Sequence, residues 1–453
     1  MAENVNIIFE GHKEILKVIK NHEPIIKYLG YPSEKCPLIG SKIKLGDVLG
    51  KGEYGTVFSI TIPGHSERDY VVKKGELNLK IYNTKPSDLL DRAELYANYE
   101  FSWEELKPFQ TEKAIKAYEN NIDEKFEFVI PPSPCLLKED EKFESIPKSK
   151  KRVVVKKGSY LCRDPFSEFV IGSYIGQLFR EGKCINFLNT YSSFICSANE
   201  SEEENKFYQY IFMDRVSGTL KKYRKCITNF TIIDAIFIQV LFAIACYQKT
   251  LQISHNDLHI ENIFAEIVSS KTQFNGEFLE NAEYYHYKID DKDIYFPAIP
   301  LIIKIGDFGL AIKFSDPIVG DLNLFDGEEG LLDMLEKTED IDRKPNKFYP
   351  SYDSLFFITG YMDIIDEKWS KKKLGPLISD SIMFMCDQEK KWKDKTNFFD
   401  VLTNNYVKKD EPYSPILNKL SDLRSAYDIL KGPIIKFYGV KPNSKKIITL
   451  GKL

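Results

Sequence analysis

Paired cysteines, a lopsided charge and a second long apolar run are all missing from this chain. Its 63 Lys and Arg against 67 Asp and Glu leave a formal charge of −4. The concentrated basic surface typical of a nucleic-acid binder is therefore not indicated. The eight cysteines (Cys36, Cys135, Cys162, Cys184, Cys196, Cys226, Cys246 and Cys386) are scattered, with no C-x-x-C pair. That pattern supports neither a disulfide framework nor a zinc site, and fits reduced thiols inside a cell. The first thirty residues carry charges throughout and lack an apolar signal core. One long apolar stretch, Phe230 to Leu251, is interrupted by Asp234 and Gln239, and no other run reaches the ~18 residues of a membrane span. The expectation is a soluble, intracellular protein with neither nucleic acid nor membrane as a partner.

With 453 residues, 43% of them hydrophobic and 29% charged, the chain can bury a large core and is too long for one compact lobe. Residues 5 to 30 have near-helical apolar spacing. From Lys42 to Lys74 the pattern reads strand, Gly-rich turn, strand, a short polar link (His65 to Asp69) and the strand YVVKK. Positions 80 to 150 are different: the first part is rich in Glu, Ala, Leu and Tyr and reads as helix, and Leu137 to Arg152 as a charged loop. The VVKKG of Val71 to Gly75 recurs shortly after that loop, but two short matches do not make a repeat architecture. Ser167 to Gly182 has helical spacing, and Phe230 to Leu251 is apolar nearly all round, as a buried central helix would be. An insertion between Asn262 and Asp307 contains YYHYKIDDKDIYF, a hairpin expected to turn at Asp290 to Asp293.

Three segments, in order, carry chemistry: LGKGEYGTVF (Leu49 to Phe58), SHNDLHIENIF (Ser254 to Phe264) and IKIGDFGLA (Ile303 to Ala311). Gly50, Gly52 and Gly55 followed by Val57 spell G-x-G-x-x-G-x-V. A backbone without side chains can approach phosphate oxygens, and Val57 can cover an adenine face. Leu49, Lys51, Glu53, Tyr54 and Thr56 complete that nucleotide-facing turn, with Tyr54 at its tip either capping the site or simply exposed. Asp257 would accept or orient the proton of an attacking hydroxyl. Asn262 offers an amide oxygen to a metal, and Asp307 a carboxylate to Mg²⁺. A lone glycine turn or a lone loop aspartate means little; the ordered triple is the signal.

Together these motifs resemble the eukaryotic protein-kinase superfamily, over roughly Lys42 to Leu77 and Phe166 to Tyr361. The resemblance implies a bilobal α+β fold. A helical extension would occupy 1–40, and a β-rich small lobe 41–216 with an insertion at about 80–150. A mainly helical large lobe would occupy 217–453, with an insertion at about 266–300. ATP and Mg²⁺ are the implied cofactors, and a protein Ser/Thr hydroxyl the implied acceptor. Met213, Asp214 and Val216 would form the hinge beside adenine, with Met213 as gatekeeper. The phosphate-binding lysine is best placed at Lys73, with Lys74 one register step away and Lys156 as rivals. Its carboxylate partner is Glu168, opening the expected αC helix, or Glu94, at a more ordinary spacing.

Three departures limit the resemblance. Asn256 stands where HRD has arginine, so a grip on a phosphorylated activation loop is not implied. His259 replaces the lysine two positions after the catalytic Asp; a neutral imidazole can donate one hydrogen bond to the γ-phosphate but has no permanent charge. No A-P-E follows DFG. The chain runs instead through an acidic stretch, which suggests basic substrates or only a solvated loop, to YDSLFFITGY. There Asp353 is either a buried brace for the catalytic loop or a helix cap. HNDLHIEN is also similar to the H-x-D-L-H-x-x-N loop of choline and aminoglycoside kinases, which keeps a small-molecule phosphotransferase open as an alternative. A silent pseudokinase scaffold is a third reading, although none of the motif Lys, Asp and Asn residues is lost. KKGSYLC, SEFVIG, REGKCINF and HNDLH resemble the divergent kinases of large nucleocytoplasmic DNA viruses, which would imply host cytoplasm or virion as the location.

Overall fold

The computed structural model describes residues 43–52, 55–62, 65–76, 80–92, 102–107, 110–130, 165–197, 207–314, 348–366, 375–385 and 423–453. The expected helix over 5 to 30, the turn residues Glu53 and Tyr54, Glu94, the charged loop at 137–152, Lys156 and the acidic run beyond Phe314 lie outside these. The architecture is mixed α and β and opens with a β-sheet, in line with an α+β class.

Strands β1 (Lys44–Gly52), β2 (Gly55–Ile62) and β3 (His65–Glu76) form an antiparallel meander. The polar link His65 to Asp69 is in fact the first part of β3, whose ladder with β2 runs back to His65. Next, β4 (Lys80–Thr84) pairs with β5 (Phe126–Ile130), and α1 (Glu112–Glu119) lies between them in sequence. The helical reading holds for the described residues between these strands, with Trp103–Leu106 a further short helix, and is corrected at the two strands themselves. KIYNT and FEFVI are rich in β-branched and aromatic residues, a weak signal that the Glu- and Ala-rich middle conceals. Leu89, Leu106, Ala114, Phe128 and Ile130 give this insertion a small core of its own.

Helix α2 (Pro165–Arg180) packs on β6 (Thr190–Ser197) and β7 (Phe207–Asp214). These two strands complete the first sheet in the order β1-β2-β3-β7-β6. After the short β8 (Gly218–Thr219) comes α3 (Phe230–Leu251), the axis of the main core. Its start is capped by Asn229, whose side chain accepts the Ile232 N–H at 3.0 Å. It stops at Gln252, in the left-handed region at φ 53°. By length and composition this helix could cross a membrane, but here it is buried from Ile233 to Gln248. Gln239 explains one polar interruption: its side-chain oxygen accepts the Ile303 N–H at 2.9 Å and the Asn186 amide at 3.0 Å.

Beyond α3 the chain forms β9 (Ile253–Ser254), β10 (Ile263–Ile267), β11 (Tyr284–Ile289), β12 (Lys292–Pro297), β13 (Leu301–Ile305) and β14 (Ile312–Lys313). The β11–β12 hairpin is the expected one, turning at Asp290 and Asp291, with Ile289 opposite Lys292. Helices α4 (Tyr352–Asp366) and α5 (Pro376–Met385) pack against α3, and the C-terminal β15 (Ile447–Lys452) lies parallel to β11. Through Ile185 N–H to Leu450 O (3.0 Å) and Lys452 N–H to Lys183 O (2.9 Å), β15 also fastens the loop that follows α2.

Candidate functional site

The first sheet forms one side of the site. Gly50 faces Val57 across the β1–β2 ladder, and Gly52 faces Gly55. Gly55 has φ +155°, and a Cβ there would lie 2.6 Å from the Lys74 carbonyl oxygen, so glycine is required. Val57 is directly opposite Lys73. Opposed residues in an antiparallel pair share a face, so Val57 and Lys73 project together while Lys74 projects the other way. The Lys74 ammonium accordingly lies 3.7 Å from the centre of the Tyr208 ring. Val71, Ile211 and Met213 occupy the Val57 face with Phe169 of α2. That packing brings the first turn of α2 over β3, and the Lys73 Nζ sits 2.6 Å from Glu168 Oε2. The same ammonium is 2.9 Å from Asp307 Oδ1.

The opposite side is built from α3, β9, β10 and β13. Asp353, at the start of α4, is fully buried. It accepts hydrogen bonds from the N–H groups of His255 (2.9 Å) and Asn256 (3.0 Å), from Tyr247 Oη (2.8 Å) and from Gln248 Nε2 (3.0 Å), and Ser254 Oγ, whose one proton is shared with the nearer Asn256 Oδ1, lies 3.2 Å away. Of the two readings offered for Asp353, the geometry is that of a brace on the 254–257 loop. Past this loop, Asn262 donates its side-chain amide to Asp257 O (2.8 Å) and Oδ2 (3.0 Å). The Asn262 carbonyl accepts the Gly306 N–H at 3.2 Å, one step beyond the Ile263–Ile305 pair of the β10–β13 ladder. Asn262 and Asp307 are therefore neighbours at the end of one ladder, and Asp257 is held by Asn262.

Burial and charge sort the ionisable groups. Burial works against the Lys73 charge, but Glu168 and Asp307 together outweigh it and hold its pKa above the usual lysine value. Burial also opposes ionisation of Asp307; Lys73 overrides it and keeps that carboxyl below its ordinary value. Glu168 is the softer partner: burial, only partly offset by Lys73, pushes it up to about 7. Asp307 is also the open one, its side chain 41% exposed against 8% for Lys73 and 7% for Glu168. It therefore keeps a face for a ligand while holding the lysine. Asp307 and Asn256 both adopt left-handed backbone, φ 58° and 65°, which persists only where surroundings hold it. The Glu261 N–H donates to His259 Nδ1 at 3.1 Å. That assigns the neutral ring's proton to Nε2, 3.5 Å from Asp257 Oδ2. Hydrogen bonding to Asp257 raises the His259 pKa, against some burial and with help from the charges of Asp257, Glu261 and Asp307.

Near the hinge, Met213 is mostly buried and lies in the ladders to Val71 and Thr190. The Asp214 N–H already donates to Asn189 O at 3.1 Å, and its carboxylate accepts from Tyr191 Oη. Both groups thus have protein partners. A cavity of about 350 Å³ lies between Arg215–Ser217 and the segment from Glu266 to Thr272, with neither Lys73 nor Asp307 in its lining. Sequence reasoning did not single out His255, whose Nε2 lies 3.0 Å from Gly306 O, or the donors Tyr247 and Gln248. The position of His255 two residues before Asp257 was the only available signal for the first; the other two had none. A scan of protein-family models and a search of curated proteins find no match to this chain.

Proposed function

We propose that this chain is an ATP- and Mg²⁺-dependent protein kinase with a bilobal fold, transferring the γ-phosphate to Ser/Thr hydroxyls. The observation that carries the reading is that Lys73 bridges Glu168 and Asp307, while Asn262, whose carbonyl accepts the Gly306 N–H, also holds Asp257. Residues from four distant segments thereby lie together, and a lysine, two carboxylates and an amide of this kind support phosphoryl transfer. The donor set fits magnesium: Asn262 spends its NH₂ on Asp257, leaving the amide oxygen, and Asp307 supplies a carboxylate. Among the described residues no group of three or more His, Cys, Asp or Glu is placed to hold a metal. Two oxygen ligands suit a cation that arrives with phosphates and keeps waters.

When bound, Mg²⁺ neutralises charge on the β- and γ-phosphate oxygens. The Gly50–Val57 segment covers the phosphates with backbone, and Lys73, held cationic by two carboxylates, draws them in. Asp257 is oriented by the Asn262 amide and accepts or orients the proton of the acceptor hydroxyl. His259, its proton on Nε2, donates one hydrogen bond beside Asp257. The test is incubation with γ-labelled ATP, Mg²⁺ and casein. The expected result is labelled Ser or Thr with the native chain, and a rate lower by about 10²- to 10⁴-fold with Asp257→Asn. Label confined to choline or an aminoglycoside would make this a small-molecule kinase. MgATP binding without any transfer would make it a scaffold.

A further inference from the structure

Asn256 has contacts that the phosphotransfer reading does not use. It is 1% exposed, and its left-handed backbone is one that Asn adopts more readily than most residues. Its N–H goes to Asp353 at 3.0 Å, and its Oδ1 accepts from Ser254 Oγ at 2.9 Å. The side-chain NH₂ donates to the carbonyl of Leu310 at 2.9 Å. A neutral, partly buried hydrogen bond thus joins the residue before Asp257 to the third residue after Asp307.

The surrounding contacts run along the same seam. His255 Nε2 meets Gly306 O at 3.0 Å, Ser254 pairs with Ile312 in the β9–β14 ladder, and the Phe314 N–H donates to Gln252 O at 2.9 Å. The turn from Gly306 to Phe314 is fastened to the 252–256 segment before and after Asp307. Asn256 supplies the side-chain tie between the turn's ends. In sequence, positions 315–347 hold only two hydroxyl residues, Ser315 and Thr338, among ten Asp and Glu. A phosphate added there would join a run already rich in negative charge.

We propose that Asn256 is a positioning residue: its amide holds the Leu310 carbonyl so that Asp307 keeps its left-handed turn against Lys73 without any phosphorylated residue. Arginine at this position would instead need a phosphate to grip. The proposal rests on the phosphotransfer reading for its consequence, though not for its geometry.

The test compares the native chain with Asn256→Gly, Asn256→Asp and the double change Ser315→Ala with Thr338→Ala. Glycine keeps the left-handed backbone and deletes the tie; aspartate keeps the shape and turns an oxygen toward the Leu310 carbonyl. Amide hydrogen exchange, measured without nucleotide, is expected to quicken over residues 307–314 in both Asn256 variants while that of α3 is unchanged. The same variants should lose about 10- to 100-fold in kcat and need more Mg²⁺ for half-maximal rate, with ATP affinity in the absence of metal unaltered. The double alanine variant should transfer phosphate at the native rate. Native exchange over 307–314 in Asn256→Gly, or a large loss of rate in the double alanine variant, would overturn the proposal. If the native chain transfers no phosphate, the kinase reading fails, and the exchange comparison still decides whether the tie holds the turn.

Discussion

Every residue of β1 except Leu45 is exposed, whereas all five residues of β13 are buried. A Cβ added at Gly50 would meet nothing within 4 Å, while one at Gly306, just past β13, would lie 2.3 Å from Leu188 Cδ1. On the proposed reading, the Gly-rich side would work through backbone and need open space around it. The side carrying Asp257, Asn262 and Asp307 would work through side chains whose positions must be fixed, and they lie against the core. Lys73 belongs to the first sheet yet is held from both sides, by Glu168 of α2 and by Asp307. Substitutions should therefore act on activity and stability very differently in the two regions.

The largest expected contrast is in rate. Asp307→Asn and Lys73→Met should each lower kcat/KM by about 10²- to 10³-fold or more, whereas Lys74→Met, whose ammonium lies over the Tyr208 ring on the other face of β3, should leave phosphotransfer near the native rate. Next comes stability on the buried side. Asp353→Ala leaves four donors without their acceptor, and should cost about 3 kcal/mol or more in urea unfolding. On the open side, Gly55→Ala should cost about 1–3 kcal/mol for its strained backbone. Gly50→Ala should leave the urea midpoint unchanged and only raise KM for ATP. Equal destabilisation by the two alanines would erase the distinction between the regions.

The smallest effect is a pH dependence where the two sides meet. Glu168 keeps its proton up to about pH 7 in the folded chain, whereas unfolded it would release it near pH 4.5. Folding then takes up a proton between these values, and stability falls as pH rises through that window. The Lys73–Glu168 ion pair is fully charged only above the window. The native kcat/KM should therefore gain a limb rising through about pH 7, and Glu168→Gln should remove both that limb and the Glu168 contribution to pH-dependent stability.

Asp257, Asn262 and Asp307 could be singled out in the sequence because the proposed chemistry needs particular residue types at short, fixed spacings, and the fold links them through Asn262. The choice between Lys73 and Lys74 was not. It depends on which of them lies opposite Val57, and register is set by pairing between strands rather than within one. Glu168 was ambiguous because 95 positions separate it from Lys73. The β4–β5 insertion, with its own small core, accounts for part of that separation. The α3 helix and the β11–β12 hairpin were readable from periodicity and turn residues. The C-terminal β15 was not, since its partners lie far away in the chain. The replacement of arginine by Asn256 was visible; that its amide reaches Leu310 depends on how two loops pack.

The most direct test of the central claim is a structure with Mg²⁺ and a non-hydrolysable ATP analogue. The expected result is a nucleotide beneath the Gly50–Val57 segment, with its metal touching both the Asn262 amide oxygen and the Asp307 carboxylate. A nucleotide bound elsewhere, or a metal that contacts neither side chain, would contradict the account.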